Sequence, residues 1–278
     1  MEKEAIQNKE KNFVSCVLYL HNDGKNIREF LKTVCGAMEQ NFEKYEIVCV
    51  NDCCMDDTIE EIHRYLEESN TRHVVSLINL SFYQGVEMAM NAGRDLAVGD
   101  FLFEFDRCLL DFEPSLIMDI YHKALEGYDV VAAAPKRDVA FTSRLFYAVY
   151  NLGSRNTHKL RQERFRIISR RPVNRVNQMN AYIPYRKAMY MNCGLRAETI
   201  VYDNKEMAKG TRNREERNTR SSLALDTLII FTDVLEKLSM LISSILFAVM
   251  VIMFGWIVYS IFSTVRPVEG WMSLMTLI

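Results

Sequence analysis

Between Lys237 and Arg266 lie twenty-eight consecutive residues, Leu238 to Val265, that carry no charge. About 20 apolar residues span the hydrocarbon core of a bilayer, so the run predicts a transmembrane helix over 238–265 with length to spare for tilt. Soluble cores seldom hold an uncharged apolar stretch of this length. Trp256 and Tyr259 suit a membrane interface. Residues 221–237 mix apolar positions with Asp226, Asp233 and Glu236, which predicts an amphipathic helix lying on the membrane surface. Residues 266–278 read as the start of a truncated second apolar segment.

Charge is distributed in blocks along the chain. Residues 1–135 hold 12 Lys and Arg against 25 Asp and Glu, whereas residues 136–220 hold 20 against 7. The basic block asks for an anionic partner, and its position beside the span places the preceding domain in the cytoplasm. Nucleic acid is not expected, because the block adjoins a membrane segment and lacks a groove-reading motif. The seven cysteines, Cys16, Cys35, Cys49, Cys53, Cys54, Cys108 and Cys193, form no C-x-x-C and fall largely in apolar runs, so they read as reduced, mostly buried thiols. A polar tail, residues 1–12, precedes the first apolar run.

From residue 13 onward, short apolar runs alternate with amphipathic stretches. Strands are predicted at 13–20, 45–50, 73–79, 100–106 and 129–135, and helices at 26–40, 57–68, 85–98 and 114–125. This alternation describes an α/β domain, a parallel sheet with helices on both faces, over 13–220. Ligands of such sheets sit at the carboxyl ends of the strands. Asn22-Asp23, Asn51-Asp52 and Asp106 fall there. Each alone suits turn or helix capping. Their carboxylates can bind the hydroxyls and base of a nucleotide, or hold a divalent cation that neutralises a diphosphate; together, followed by a basic block, they point to a nucleotide site, with Arg107 able to place positive charge near the diphosphate.

Several segments resemble glycosyltransferase family 2. VSCVLYLHNDGKNI (14–27) resembles the family's V-S-V-V-I-P-V-Y-N-E-E opening, EIVCVNDCCMDDT (46–58) its E-I-I-F-V-D-D-G-S-T-D-G-T, and NAGRDLAVGDFLFEFD (91–106) its N-A-G-L-x-x-A-x-G-D-x-V-x-x-M-D. SRLFYAVYNLGSR (143–155), FRIISRRPVNRVNQ (165–178), RAETIVYD (196–203) and LALDTLIIFTDVLEKL (223–238) follow the membrane-anchored branch that glycosylates polyprenyl phosphates. The resemblance implies a GT-A-like, mostly parallel sheet and inversion at the sugar's anomeric centre. It implies a UDP- or GDP-linked sugar donor, a lipid phosphate acceptor, a bacterial inner-membrane location and a homo-oligomer, paired or tetrameric, formed through the membrane helices. By carry-over, Tyr19, His21 and Asp23 occupy the first nucleotide-contacting loop, and Asp52 the position that touches the base. Asp106 is the catalytic first acid of the D-x-D motif, implying Mg²⁺ or Mn²⁺ there.

The chain departs from the pattern at telling places. D-A-D-L-Q appears as Asp106-Arg107-Cys108-Leu109-Leu110, which removes oxygen ligands that such cations need. The F-R-L-x-D-R acid is Ser169, G-E-S-K-Y reads Gly210 to Arg214, and D-D-G-S-T-D-G carries Cys53, Cys54, Met55 and Asp57. In a crevice otherwise built to the pattern, restoring Cys108→Asp and Leu110→Gln would raise Mn²⁺-dependent donor affinity. Arg137, Arg144 and Arg170 are expected to face the acceptor phosphate, since Arg clamps phosphate bidentately. An ionised phosphate needs little general-base help, which suits the lack of an evident catalytic His. The alternative is a degenerate relative that keeps fold and anchor as a binding or scaffold protein.

Overall fold

The computed structural model describes residues 9–69, 71, 73–136, 141–154, 159–178, 185–205 and 214–262. Short, largely apolar runs form β1 (Val14–Leu20), β2 (Tyr45–Asn51), β3 (Val75–Asn79), β4 (Phe101–Phe105) and β5 (Val130–Pro135), with β6 (Phe165–Ser169) and β7 (Ala197–Tyr202) after them. Helices α1 (Gly24–Asn41), α2 (Thr58–Ser69), α3 (Val86–Leu96) and α4 (Leu116–Leu125) alternate with the first five strands. Then come α5 (Phe141–Gly153), α6 (Arg170–Gln178) and α7 (Arg186–Asn192). Helix α1 shows the principle: Ile27, Phe30, Leu31, Val34, Cys35 and Met38 recur at helical spacing and all are buried against the sheet.

The seven strands order as β3-β2-β1-β4-β6-β5-β7. All neighbours pair in parallel except β6, which runs antiparallel to both β4 and β5. Two apolar layers cover the two faces, one around Phe30, Phe105, Ile117 and Tyr121, the other around Met90, Val173, Ala188 and Tyr190. The parallel register of β1 with β2 and β4 brings the carboxyl ends of all three to one edge. Because β6 runs the other way, its first residues, Phe165 and Arg166, meet that same edge, while Ser169 lies beside Phe101 at the far end. Period and composition do not encode strand direction, so this reversal is a finding of the structure.

Boundaries differ from expectation at both ends. The domain includes residues of the expected tail: Glu10 pairs with Phe42, and Asn12 donates to the Tyr121 hydroxyl at 2.8 Å. Helix α8 covers Arg214–Phe231 and helix α9 runs Val234–Phe262, so the apolar helix starts before Lys237. Leu223, Leu228 and Phe231 of α8 pack on the core, while Leu225, Ile229 and Ile230 stay exposed. Val234–Ser260 is long and apolar enough to cross a membrane, and none of its apolar window is buried in the protein. The second apolar segment, 266–278, lies outside the described residues.

Candidate functional site

Strand β1 ends in Tyr19, Leu20 and the turn His21-Asn22-Asp23, and β2 ends in Asn51-Asp52. Asp52 is wholly buried. Its carboxylate accepts from the Tyr19 hydroxyl at 2.9 Å, the Gln84 amide at 2.7 Å and the Gly85 amide at 2.8 Å. Gly85 has φ 83°, a conformation glycine adopts without strain, and it starts α3. Asp52 therefore shapes the wall of the crevice from beneath rather than lining it. The His21 imidazole Nδ1 lies 2.8 Å from the Asp52 carbonyl oxygen. His21 stacks toward Tyr19 (6.5 Å between centroids) and packs against Tyr83 (4.8 Å), giving a half-exposed aromatic row along the tips of β1 and β2. Tyr83 carries no spacing signal of its own, and only the fold reveals it.

Asp23 precedes α1 and accepts from the His21 amide at 3.1 Å. Burial pushes its carboxyl up to about 6, with the His21 amide and the nearby Arg107 charge pulling the other way. Asp56 receives hydrogen bonds from Thr58 and, at 3.0 Å, from the Gly24 amide, ties that outweigh partial burial and hold its carboxyl below the usual range. The Arg107 charge acts on Asp23 because the tips of β1 and β4 lie side by side.

At the tip of β4, Asp106 is held on both oxygens. Arg186 Nη2 donates to Oδ1 at 2.8 Å, Arg166 Nη2 to Oδ2 at 2.8 Å, and Lys187 Nζ lies 3.4 Å from Oδ2. Glu104, one pleat below, accepts from Arg166 at 2.8 Å, from Arg186 at 2.7 Å and from the Tyr190 hydroxyl at 2.9 Å. Glu163 closes on Arg166 and Glu87 on Arg186, each at 2.9 Å. Burial opposes charge on Asp106, yet Arg166, Arg186 and Lys187 outweigh it and hold the carboxyl far below its ordinary range. Sequence reading missed Arg186, Lys187 and the role of Arg166. The one available signal was a basic residue in a short strand and a basic pair opening a helix, and neither is specific.

A divalent cation does not fit this constellation. Mg²⁺ and Mn²⁺ take hard oxygen ligands. Asp106 offers oxygens already committed to guanidinium groups, and Leu110 offers none. Cys108 is a buried thiol that donates to the Tyr19 carbonyl at 3.6 Å, and burial pushes it well above its usual range, so it stays protonated. Among the described residues no cluster of three His, Cys, Asp or Glu could hold a metal ion.

Several members of the basic block are committed to partners within the fold. Arg164 pairs with Asp111, Arg171 with Asp129 at 3.4 Å, and Arg175 donates to the Cys193 carbonyl at 2.6 Å. Arg170 corrects an expectation: it donates to the carbonyls of Gly99 (2.6 Å) and Ala97, at the end of the sheet opposite the crevice. The reversal of β6 carries it there, so it cannot face an acceptor bound at the strand tips. Arg137 lies outside the described residues. Arg144, exposed on α5, lines a cavity of about 340 Å³ with Lys136, Arg161, Pro135, Tyr147 and Leu160. Asn151 closes its wall by exchanging hydrogen bonds with the Leu160 backbone at 2.9 and 2.8 Å. The cavity opens at the carboxyl end of β5, on the crevice side of the sheet, and α5 packs on α8 and α9.

A twisted, mostly parallel sheet whose strand tips carry this crevice is the GT-A type glycosyltransferase fold. The chain belongs to glycosyl transferase family 2, whose family model matches residues 15–192. It is 27% identical over 205 residues to an uncharacterized glycosyltransferase of Synechocystis, covering 71% of this chain and 63% of that one. It is 26% identical to the uncharacterized glycosyltransferase YkcC of Bacillus subtilis, covering 95% and 82%. An undecaprenyl-phosphate 4-deoxy-4-formamido-L-arabinose transferase of Pseudomonas syringae is 31% identical over 119 residues, 43% of this chain and 34% of that protein. Among solved structures, a mannosyltransferase of Pyrobaculum calidifontis in complex with GDP-Man and Mn²⁺ superposes with TM-score 0.57 at 16% identity, covering 81% and 67%. The glucosyl-3-phosphoglycerate synthase of Mycobacterium tuberculosis, with Mn²⁺ and UDP, gives 0.56 at 12%, covering 78% and 79%. At such identities the likeness is one of fold.

Proposed function

We propose that this protein is a membrane-attached inverting glycosyltransferase that moves a sugar from a nucleoside-diphosphate donor to polyprenyl phosphate or another membrane-proximal acceptor. The observation that carries the reading is the placement of two sites on one edge of the sheet. The aromatic and acidic crevice at the tips of β1, β2 and β4 suits a nucleotide sugar. The cavity with Lys136, Arg144 and Arg161 suits a phosphate, and it adjoins the helix that packs on apolar α9. The likeness to the undecaprenyl-phosphate transferase of Pseudomonas syringae supports that acceptor class.

In this reading the Tyr19, His21 and Tyr83 rings stack on the base, and Asp23 accepts from a hydroxyl or base edge. Asp52 keeps Tyr19 and the Gln84-Gly85 turn in position. The acceptor phosphate, oriented by Arg144 and Arg161, directs an oxygen at the anomeric carbon. The new carbon–oxygen bond forms as the bond to the diphosphate breaks on the opposite face, and the electron pair leaves with the nucleoside diphosphate. The phosphate oxygen is already ionised, so no proton has to be removed. Exposed Leu225, Ile229 and Ile230 of α8 rest in the head-group layer at the cytoplasmic face, and α9 crosses the bilayer.

The test is incubation of the full chain in vesicles with a panel of radiolabelled UDP- and GDP-sugars and undecaprenyl phosphate. Label in the lipid fraction that vanishes when undecaprenol replaces its phosphate supports the reading. No lipid-linked label with any donor supports the second reading, a scaffold that retains the fold, which the arginine-locked Asp106 and protonated Cys108 favour.

A further inference from the structure

We infer that this crevice receives the diphosphate of its donor without a divalent cation, the cationic contact there coming from Lys187 on a cluster that Arg166 and Arg186 hold together. The inference deepens the donor-binding reading above and rests on it. Metal-assisted GT-A sites leave an acidic strand tip open for an ion that bridges protein and phosphate. Here the acidic tip is already bridged. Arg166 spans Glu104, Asp106 and Glu163, and Arg186 spans Glu87, Glu104 and Asp106, so both arginines join the same two acids, Glu104 and Asp106.

Both guanidiniums are almost fully buried, with side chains 0% and 1% exposed. A dication at Asp106 would have to displace them, because each Asp106 oxygen already accepts from a guanidinium. Displacement would leave Glu104, wholly buried, without its partners. The cluster therefore excludes the ion as firmly as Cys108 and Leu110 fail to bind it.

The same cluster offers a replacement. Asp106 is its member most open to the crevice, at 16% exposure, and the Lys187 ammonium lies against it. Lys187 is a compact cation with three donors, the form of charge that meets a phosphate as a point. Arg107 follows Asp106 in sequence, and its charge is near enough to act on Asp23. The two arginines hold Asp106 and Lys187 in position, and Lys187 meets the diphosphate.

The test uses the full chain in detergent micelles, titrated calorimetrically with UDP and with GDP, once in EDTA and once with Mn²⁺. Uptake of Mn²⁺ by the protein alone is read from loss of the free-ion electron paramagnetic resonance signal. One of the nucleotides is expected to bind in EDTA within about threefold of its affinity in Mn²⁺. Lys187→Met is expected to weaken binding in EDTA by about tenfold, the worth of one charge-assisted phosphate contact. Asp106→Asn, which removes the acid a cation would need and keeps the basic arms, is expected to retain or tighten binding in EDTA. Nucleotide binding that appears only with Mn²⁺, or stoichiometric Mn²⁺ uptake that Asp106→Asn abolishes, overturns the inference and leaves donor binding standing. Binding in neither medium overturns both.

Discussion

Arg186 concentrates the energetics of the site in one side chain. It satisfies Glu87, Glu104 and Asp106 at once, and breaking a buried ion pair on one side strands the other charge. Arg186→Met is expected to lower unfolding stability by about 3–5 kcal/mol, read as a loss of thermal midpoint. A loss within experimental error would mean that the cluster is solvated. Asp23 poses the opposite problem. Its folded carboxyl holds a proton up to about 6 against an ordinary 3.8, so the folded state binds that proton more tightly. Stability from this group is present below the ordinary value and is lost as pH rises through about 6. Asp23→Asn should therefore raise the thermal midpoint at about pH 8 and leave it unchanged near pH 3.5. The reverse pattern would place Asp23 in an ion pair. Cys53 stands where the family pattern has Gly, yet keeps φ 56°, in the left-handed region. Cys53→Gly is expected to stabilise the chain by roughly 1 kcal/mol, the usual cost of a side chain there, and a destabilised variant would show that the thiol's packing outweighs the strain.

At the scale of elements, α5 joins the two halves of the proposed chemistry, since it lines the basic cavity and packs on α8 and α9. Its last residue, Gly153, sits so close to Thr232 and Val234 that any Cβ would collide with their side chains. Gly153→Val is expected to pry the α8–α9 junction from α5, seen as faster proteolysis near residues 231–234. Unchanged proteolysis would show that the junction gives way without cost. The elements themselves were legible in proportion to their periodicity. The first five strands and four helices lie within a few residues of their expected places, because long apolar alternation encodes them directly. Strands β6 and β7 carried only short apolar runs, and direction leaves no trace in such runs. Reversal of β6 brought Arg166 into the crevice and took Arg170 away from it, although four residues separate them in sequence. Acids at strand tips could be read from the chain, whereas the partners of Asp106, at residues 166, 186 and 187, could be found only by folding it.

For the whole molecule, the chain's uneven charge resolves into two uses. Most of the basic block between Arg164 and Arg175 is spent inside the fold on Asp111, Glu104, Asp106, Glu163 and backbone carbonyls. A smaller share, Lys136, Arg144 and Arg161, faces a cavity beside the helices that are apolar on their outside. A nucleotide on one side of the strand tips and a lipid phosphate on the other would then meet over the carboxyl ends of β4 and β5. Hydrogen exchange of the full chain in micelles, with and without saturating UDP or GDP, tests that picture most directly. Slowed exchange of the amides at 21–24, 53–58 and 83–86 with at least one nucleotide is the predicted result. Exchange unchanged at all three segments while a nucleotide is bound, or protection confined to the cavity beside α5, would contradict it.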